Sequence, residues 1–203
     1  MPTIVTEVPY RPVPSEPRRV RWTRADYEAL ESTGMFEGRD YELVEGELID
    51  KMGKNLPHTL SLGPLLYWLY RVFGVPRVLS ESSIDVAPED NPTNKPEPDL
   101  IVLKESGRKI RGLNPKPEHI SFVVEISDST LGFDLTTKAG LYARAGIAEY
   151  WVLDIAQERM IVHREPVAGA YASIAVYNGD EEISPLAAPD APFPVGDAFR
   201  DQE

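Results

Sequence analysis

Apolar and polar positions repeat along this chain with a period that changes from stretch to stretch, and those changes predict its elements. The start is dense in proline, with Pro2, Pro9, Pro12, Pro14 and Pro17. That density suits neither a helix nor a central strand, and predicts a flexible arm over residues 1–20. Thr23 then opens a short helical pattern with Asp26 three residues on as an approximate capping box, and Tyr27, Leu30 and Met35 give it an apolar side up to Gly34. Tyr41-Glu42-Leu43-Val44 and Glu47-Leu48-Ile49 flank Glu45-Gly46, a pair that suits a two-residue hairpin turn. Glu42 then faces inward beside Leu43.

Pro57-His58 opens the first long helical pattern, with Leu62, Leu65, Leu66, Leu69 and Tyr70 at three-and-four spacing before Gly74 and Pro76. Gly63-Pro64 inside it predicts a late start or a kink, because proline costs roughly 3 kcal/mol in a helix interior. Val78 to Ala87 alternates as a strand, and a proline-rich loop follows. Leu100 to Leu103 and Phe122 to Ser127 are apolar runs that read as strands buried on both faces. Thr136 to Arg144 is helical, with Leu135, Ala139, Leu141 or Tyr142, and Ala145 inward and Gly146 as its stop. Glu149 to Ile155, Met160 to His163 and Tyr171 to Tyr177 read as strands.

The order helix, strand, strand, strand, helix, strand predicts one α/β domain over residues 21–203. The helix after the Glu125 strand provides a crossover that lets this strand run parallel to the one starting at Glu149, while the earlier three form a meander. A mixed sheet flanked by helices follows, with an N-terminal hairpin and extra C-terminal strands added to the αβββαβ core.

Composition narrows the function classes. At 203 residues and 42% hydrophobic content the chain can bury one sizeable core. The apolar runs fall short of the 18 or so residues of a membrane helix, and MPTIVTEVPY lacks a signal pattern, which predicts a soluble cytoplasmic protein with no membrane partner. The absence of cysteine excludes disulfides, thiolate metal sites and a cysteine nucleophile. Ser127 and Ser129 lack a G-x-S-x-G elbow, which disfavours a serine hydrolase. A net charge of −12 argues against avid non-specific binding of nucleic acid. Two basic clusters soften that objection: Lys104, Arg108, Lys109, Arg111 and Lys116 between the two acid-bearing strands, and Arg18, Arg19, Arg21 and Arg24 near the start.

The chemistry is carried by acids placed where acids are costly. Asp99 opens one apolar run and Glu125 lies near the far end of the next. A carboxylate buried in such a run must be paired, protonated or bound to a cation, because an unpaired buried charge costs several kcal/mol or more. Two of them in adjacent runs suggest a metal.

Five pieces of the chain, YELVEGELI, PH, PEPDLIVL, FVVEISDST and DLTTKAGLYARAGIAEYWVLD, carry a resemblance to the PD-(D/E)XK nuclease superfamily, and within it to the Uma-type family of putative restriction endonucleases. The resemblance spans roughly Tyr41 to Asp154 and implies a restriction-endonuclease-like αβββαβ core. It also implies a Mg²⁺-dependent endonuclease that hydrolyses DNA phosphodiester bonds by metal-activated water. Asp99, Glu125 and Lys138 are the implied catalytic residues, with Asp99, Glu125 and the main-chain carbonyl of Ile126 holding Mg²⁺ or Mn²⁺. Ser127 stands where a lysine is usual, and Lys138 on the next helix looks like its migrated replacement. The resemblance implies a further acid at the metal site from the first helix, which offers none between Pro57 and Phe73; an acid from the hairpin could replace it, Glu42 in preference to Glu45 in the turn, with a solvated hairpin acid as the alternative. His58 is a weaker candidate, for phosphate contact or as a base, with a capping or surface role as the alternative.

A catalytically silent nuclease-fold binding or regulatory module remains the other reading, favoured by the acidity. Double-strand cleavage needs two sites, so a homodimer is expected, with Tyr67, Trp68 and Tyr70 as surplus apolar surface.

Overall fold

Tyr41–Val44 (β1) and Glu47–Asp50 (β2) pair antiparallel around Glu45-Gly46, whose positive φ angles of 50° and 75° make the turn expected for two linking residues. In this computed structural model, which describes residues 20–51 and 55–200, the expected proline-rich arm lies outside the described residues but for Val20. Before the hairpin, Arg24–Ser32 forms α1, and its capping box is present. Asp26 N donates to Thr23 Oγ1 at 3.1 Å while Thr23 N donates to Asp26 Oδ2 at 3.0 Å. Met35, placed on the apolar side from its spacing, is exposed instead.

Asn55 caps Leu56–Phe73 (α2), its side chain accepting from His58 N at 3.0 Å, and the helix is continuous with Pro64 inside it. Leu65, Leu69 and Phe73 bury against the sheet, and that packing outweighs the local penalty of the proline. Val78–Ser80 (β3) is shorter than the strand expected to Ala87. Glu81 takes φ 49°, after which Ile84 and Asp85 donate to the loop carbonyls of Pro96 and Pro115 rather than to a ladder.

Leu100–Leu103 (β4), Ile120–Ser127 (β5), Glu149–Asp154 (β6), Arg159–Val167 (β7) and Ala170–Asn178 (β8) complete a six-stranded sheet in the order β3-β4-β5-β6-β7-β8. The β5–β6 pair is parallel and the others are antiparallel, the expected mixed sheet. The crossover between β5 and β6 starts earlier than periodicity suggests. Leu131–Phe133 (α3) runs through a π-helical segment, Asp134–Lys138, into Ala139–Arg144 (α4).

One face of the sheet packs Leu100, Val124 and Trp151 under α2, and the other packs Ile101, Val123 and Tyr150 under α4. Glu182–Ile183 (β9) and Phe193–Pro194 (β10) pair beyond β8 and bring Phe193 onto the α2 side. Trp68 is covered there, its ring 5.2 Å from Phe193 and 6.3 Å from Trp151, and Tyr70 is half-buried. Of the three aromatics expected as surplus surface, only Tyr67 is largely exposed. Among the described residues, no helix is long and apolar enough to cross a membrane.

Candidate active site

The strand register does the first part of the positioning. Leu100 faces Val124 across the β4–β5 pair, so one step further Asp99 comes opposite Glu125 on the α4 side of the sheet. Asp99 Oδ2 accepts from Ile126 N at 2.8 Å, which fastens the carboxylate to the end of β5. The π-helical segment then brings Lys138 over the same spot. Its Nζ lies 2.9 Å from Glu125 Oε1 and 2.7 Å from Glu42 Oε1, the latter delivered by β1. Tyr142, one turn on, donates its hydroxyl to Glu125 Oε1 at 2.8 Å. Glu42 Oε2 accepts from Glu97 N at 3.0 Å, so the hairpin and the Pro98-Asp99 approach are tied to each other.

These groups close one end of a cleft of about 220 Å³. Glu42, Asp99, Glu125 and Lys138 are all at most 5% exposed. Among the described residues, six carboxyl groups line the cleft (Glu42, Asp50, Asp99, Glu125, Asp128 and Asp134) against two ammonium groups, Lys51 and Lys138. Burial pushes the Glu125 carboxyl up to about 8, with Lys138 pulling it down and Asp99, Asp134 and Glu42 adding to the rise. Burial alone would lower Lys138; the carboxylates of Glu125 and Glu42 outweigh it and raise its affinity for the proton. Burial opposes ionisation of Asp99 as well, yet His58 and the Ile126 amide carry its pKa below the ordinary value.

His58 enters from the first turn of α2, with Nε2 3.3 Å from Asp99 Oδ2. Its Nδ1 is buried without a hydrogen-bond partner. If Nε2 carries the proton toward Asp99, Nδ1 is the acceptor left unsatisfied.

Glu45 is not brought to the cleft. In the left-handed turn conformation its carboxylate points away, with Oε1 3.6 Å from Arg144 Nη2. The first basic cluster lies on the β4–β5 connection, at the opposite end of β4 from Asp99. There Lys104 donates to the Glu118 carbonyl and Lys109 pairs with Glu105. Of the second cluster, Arg18 and Arg19 lie outside the described residues, and Arg24 pairs with Glu28 and Asp85.

Residues 24–195 match the model of the Uma2 family, described as "Putative restriction endonuclease". The chain belongs to this family. The crystal structure of a putative nuclease belonging to DUF820, from Anabaena variabilis ATCC 29413, superposes with a TM-score of 0.61 at 17% sequence identity. The match covers 78% of this Uma2-family chain and 89% of the other, a likeness of fold. No curated protein matches the chain.

The Uma2 chain places two residues at the site that the spacing of acids did not point to. Asp134 is 3% exposed, accepts from Thr130 Oγ1 at 2.6 Å, and has its pKa raised chiefly by burial. It precedes Lys138 by four residues, the spacing of one helix face, but the helix was expected to start only at Thr136. Lys51, just past β2, donates to the Glu97 carbonyl at 2.9 Å and lies 3.3 Å from Glu97 Oε1. No local pattern marks it.

The donor set suits a hard divalent cation. Among the described residues, no three His, Asp or Glu side chains form a ready cage. Asp99 and Glu125 nonetheless offer two adjacent carboxylates, and Mg²⁺ commonly takes one or two carboxylates and keeps several waters. Burial first, and then the neighbouring carboxylates of Asp99, Asp134 and Glu42, raise the Glu125 pKa against the pull of Lys138, and a bound cation would offset that rise.

Proposed function

We propose that this chain is an endonuclease that hydrolyses DNA phosphodiester bonds in the cleft between the hairpin and the ends of β4 and β5. The observation that carries the reading is the convergence of Asp99, Glu125 and Lys138, from three separate elements, within one buried site. Asp99, Glu125 and the main-chain carbonyl of Ile126 would hold Mg²⁺ or Mn²⁺. When bound, such an ion supplies a Lewis acid that polarises phosphate and lowers the pKa of a coordinated water.

The chain's own residues do the rest. The Lys138 ammonium has three donors; Glu125 and Glu42 take two, which leaves one for the attacking water or a phosphate oxygen. Tyr142 and Lys138 share Glu125 Oε1, so that carboxylate is held in one rotamer. Glu42 fixes the height of the lysine and does not act on substrate. His58 orients Asp99 from the α2 side, and Lys51 adds positive charge where an anionic strand must enter.

The test is cleavage of a plasmid and an oligonucleotide panel by the wild type and Asp99→Ala, with Mg²⁺, Mn²⁺ or chelator. Metal-dependent nicking by the wild type alone is the expected result. The net charge of −12 favours the other reading, a silent nuclease-fold binding module. Binding without cleavage by both proteins under every metal condition would select it and reject the enzyme.

A further inference from the structure

α2 has a second face that the fold leaves uncovered. Leu56, Leu60 and Tyr67 are 70%, 61% and 65% exposed on the side away from the sheet. At 100° per residue, positions 56, 60, 63, 67 and 71 fall within one stripe less than about a quarter of the helix circumference wide. Arg71 is the one Asp, Glu, Lys or Arg in the 18 residues of this helix. In a chain of net charge −12, two copies approaching through most of their surface repel one another. This stripe is where they can meet without that cost.

We infer that the chain forms a two-fold dimer in which α2 packs antiparallel against α2 of a second copy, crossing at Gly63-Pro64. The spacing is self-complementary about that point, as an isologous contact requires. Equidistant from the axis, Leu60 meets Tyr67 of the second copy, and Leu56 meets Arg71. A Cβ built on Gly63 would touch nothing within 4 Å, so the surface is open at the crossing and the missing side chain lets two backbones come close. Beside it, Pro64, Tyr67, Trp68 and Phe193, with the oppositely charged Arg71 and Asp197, line a groove that receives Leu60 of the second copy. The exposed Arg71 guanidinium lies over the Tyr67 ring, 5.9 Å from its centroid, and so on the same stripe.

The outer edge of β8 is the competing surface, with Ile174 and Val176 exposed. Glu165, Asp180 and Glu181 are exposed around that edge, so pairing it with itself sets acids against acids. The α2 contact does not depend on what the cleft does. It would set the two clefts, each near the start of its α2, roughly 22 Å apart along the paired helices.

Sedimentation equilibrium on the full chain tests this. The wild type is expected at twice 22.7 kDa at micromolar concentration. Leu60→Glu should be monomeric, with the circular dichroism of the wild type because Leu60 is exposed, and with a melting midpoint that no longer depends on protein concentration. Leu56→Glu should keep the dimer, since the new carboxylate faces Arg71, whereas Leu56→Lys should weaken it at least tenfold. The double variant Leu56→Lys with Arg71→Glu should restore it. A wild type that stays at 22.7 kDa at every concentration overturns the proposal. So does a dimer that survives Leu60→Glu, including one dissociated instead by Ile174→Lys.

Discussion

Lys138 and Glu125, 13 residues apart in sequence, meet at 2.9 Å in the interior, and the lysine is the positive partner that makes two buried glutamates tolerable there. Lys138→Met is therefore expected to cost more than the loss of one surface ion pair. Removing one partner of a buried pair typically costs about 3–5 kcal/mol, because the other charge is left unpaired or must take up a proton. Urea unfolding of the metal-free variant should show that loss along with loss of cleavage. A change below about 1 kcal/mol would mean that the ammonium is not the site's internal counter-charge.

Metal should replace part of what the lysine supplies. If Asp99 and Glu125 share a cation, Mg²⁺ or Mn²⁺ at about 100 times its dissociation constant adds roughly 2.7 kcal/mol to the wild-type fold. Asp99→Ala and Glu125→Ala should each lose most of that increment, measured against each variant's own metal-free stability, because Glu125 also accepts from Lys138 and Tyr142 and Asp99 from the Ile126 amide. Lys138→Met should keep the increment, since lysine is not a ligand. Calorimetric melts with and without metal decide between these outcomes. An unchanged response in both acid variants would place the metal elsewhere.

How much of this could be read from the residues depended on whether a local pattern existed. The two acid-bearing strands, the hairpin turn and the order of the core elements follow from alternation, glycine placement and apolar runs, and each is present. Lys138 and Glu42 came from family resemblance, and the structure sets Lys138 against both Glu125 and Glu42. What escaped was set by tertiary contacts. The strand from Val78 ends at Ser80 because Glu81 turns to left-handed geometry and loop carbonyls take over as acceptors, which periodicity does not encode. Asp134 was hidden because its helix starts at Leu131 and passes through a π-helical segment; Lys51 was hidden because one lysine after a strand looks like any other. The basic connection between β4 and β5 looked close to both acids along the chain, yet it sits at the far end of the strand.

Gly46 gives a test of whether the hairpin must be held rigidly for Glu42 to reach Lys138. Its φ is 75°, and a Cβ there would come within 2.7 Å of Arg21 Cβ and 3.1 Å of the Trp22 carbonyl oxygen. Its own carbonyl accepts from Trp22 N at 2.8 Å, and its amide donates to Thr93 at 2.8 Å, so the turn cannot shift freely. Gly46→Ala is expected to destabilise by more than the roughly 1 kcal/mol of a left-handed alanine. It should also reduce cleavage by moving Glu42, although it touches no catalytic group. Full activity with only a stability loss would show that Glu42 is not needed in its observed place.

His163 provides a pH signature far from the metal-binding residues. It is 2% exposed under Tyr150 and Tyr171, with ring centroids 5.3 Å and 5.6 Å away, and its Nδ1 has no hydrogen-bond partner. Burial lowers its pKa from the ordinary 6.5, opposed in part by a backbone hydrogen bond with Tyr150. The sign follows directly. Below about pH 6.5 an exposed histidine in the unfolded chain takes up a proton that the native state refuses, so the stability from the neutral ring is complete above that pH and is lost as pH falls toward the folded pKa. Glu125 runs the other way: its contribution is complete below the unfolded value of 4.5 and is lost as pH rises through about 8. The two effects overlap, so the difference between wild type and His163→Phe isolates the histidine. That difference should be flat above pH 6.5 and should move against the wild type below it, by at most about 1.4 kcal/mol per pH unit for one proton. Parallel stability curves for the two proteins from pH 5 to 8 would mean that His163 ionises in the folded state as readily as in the unfolded chain.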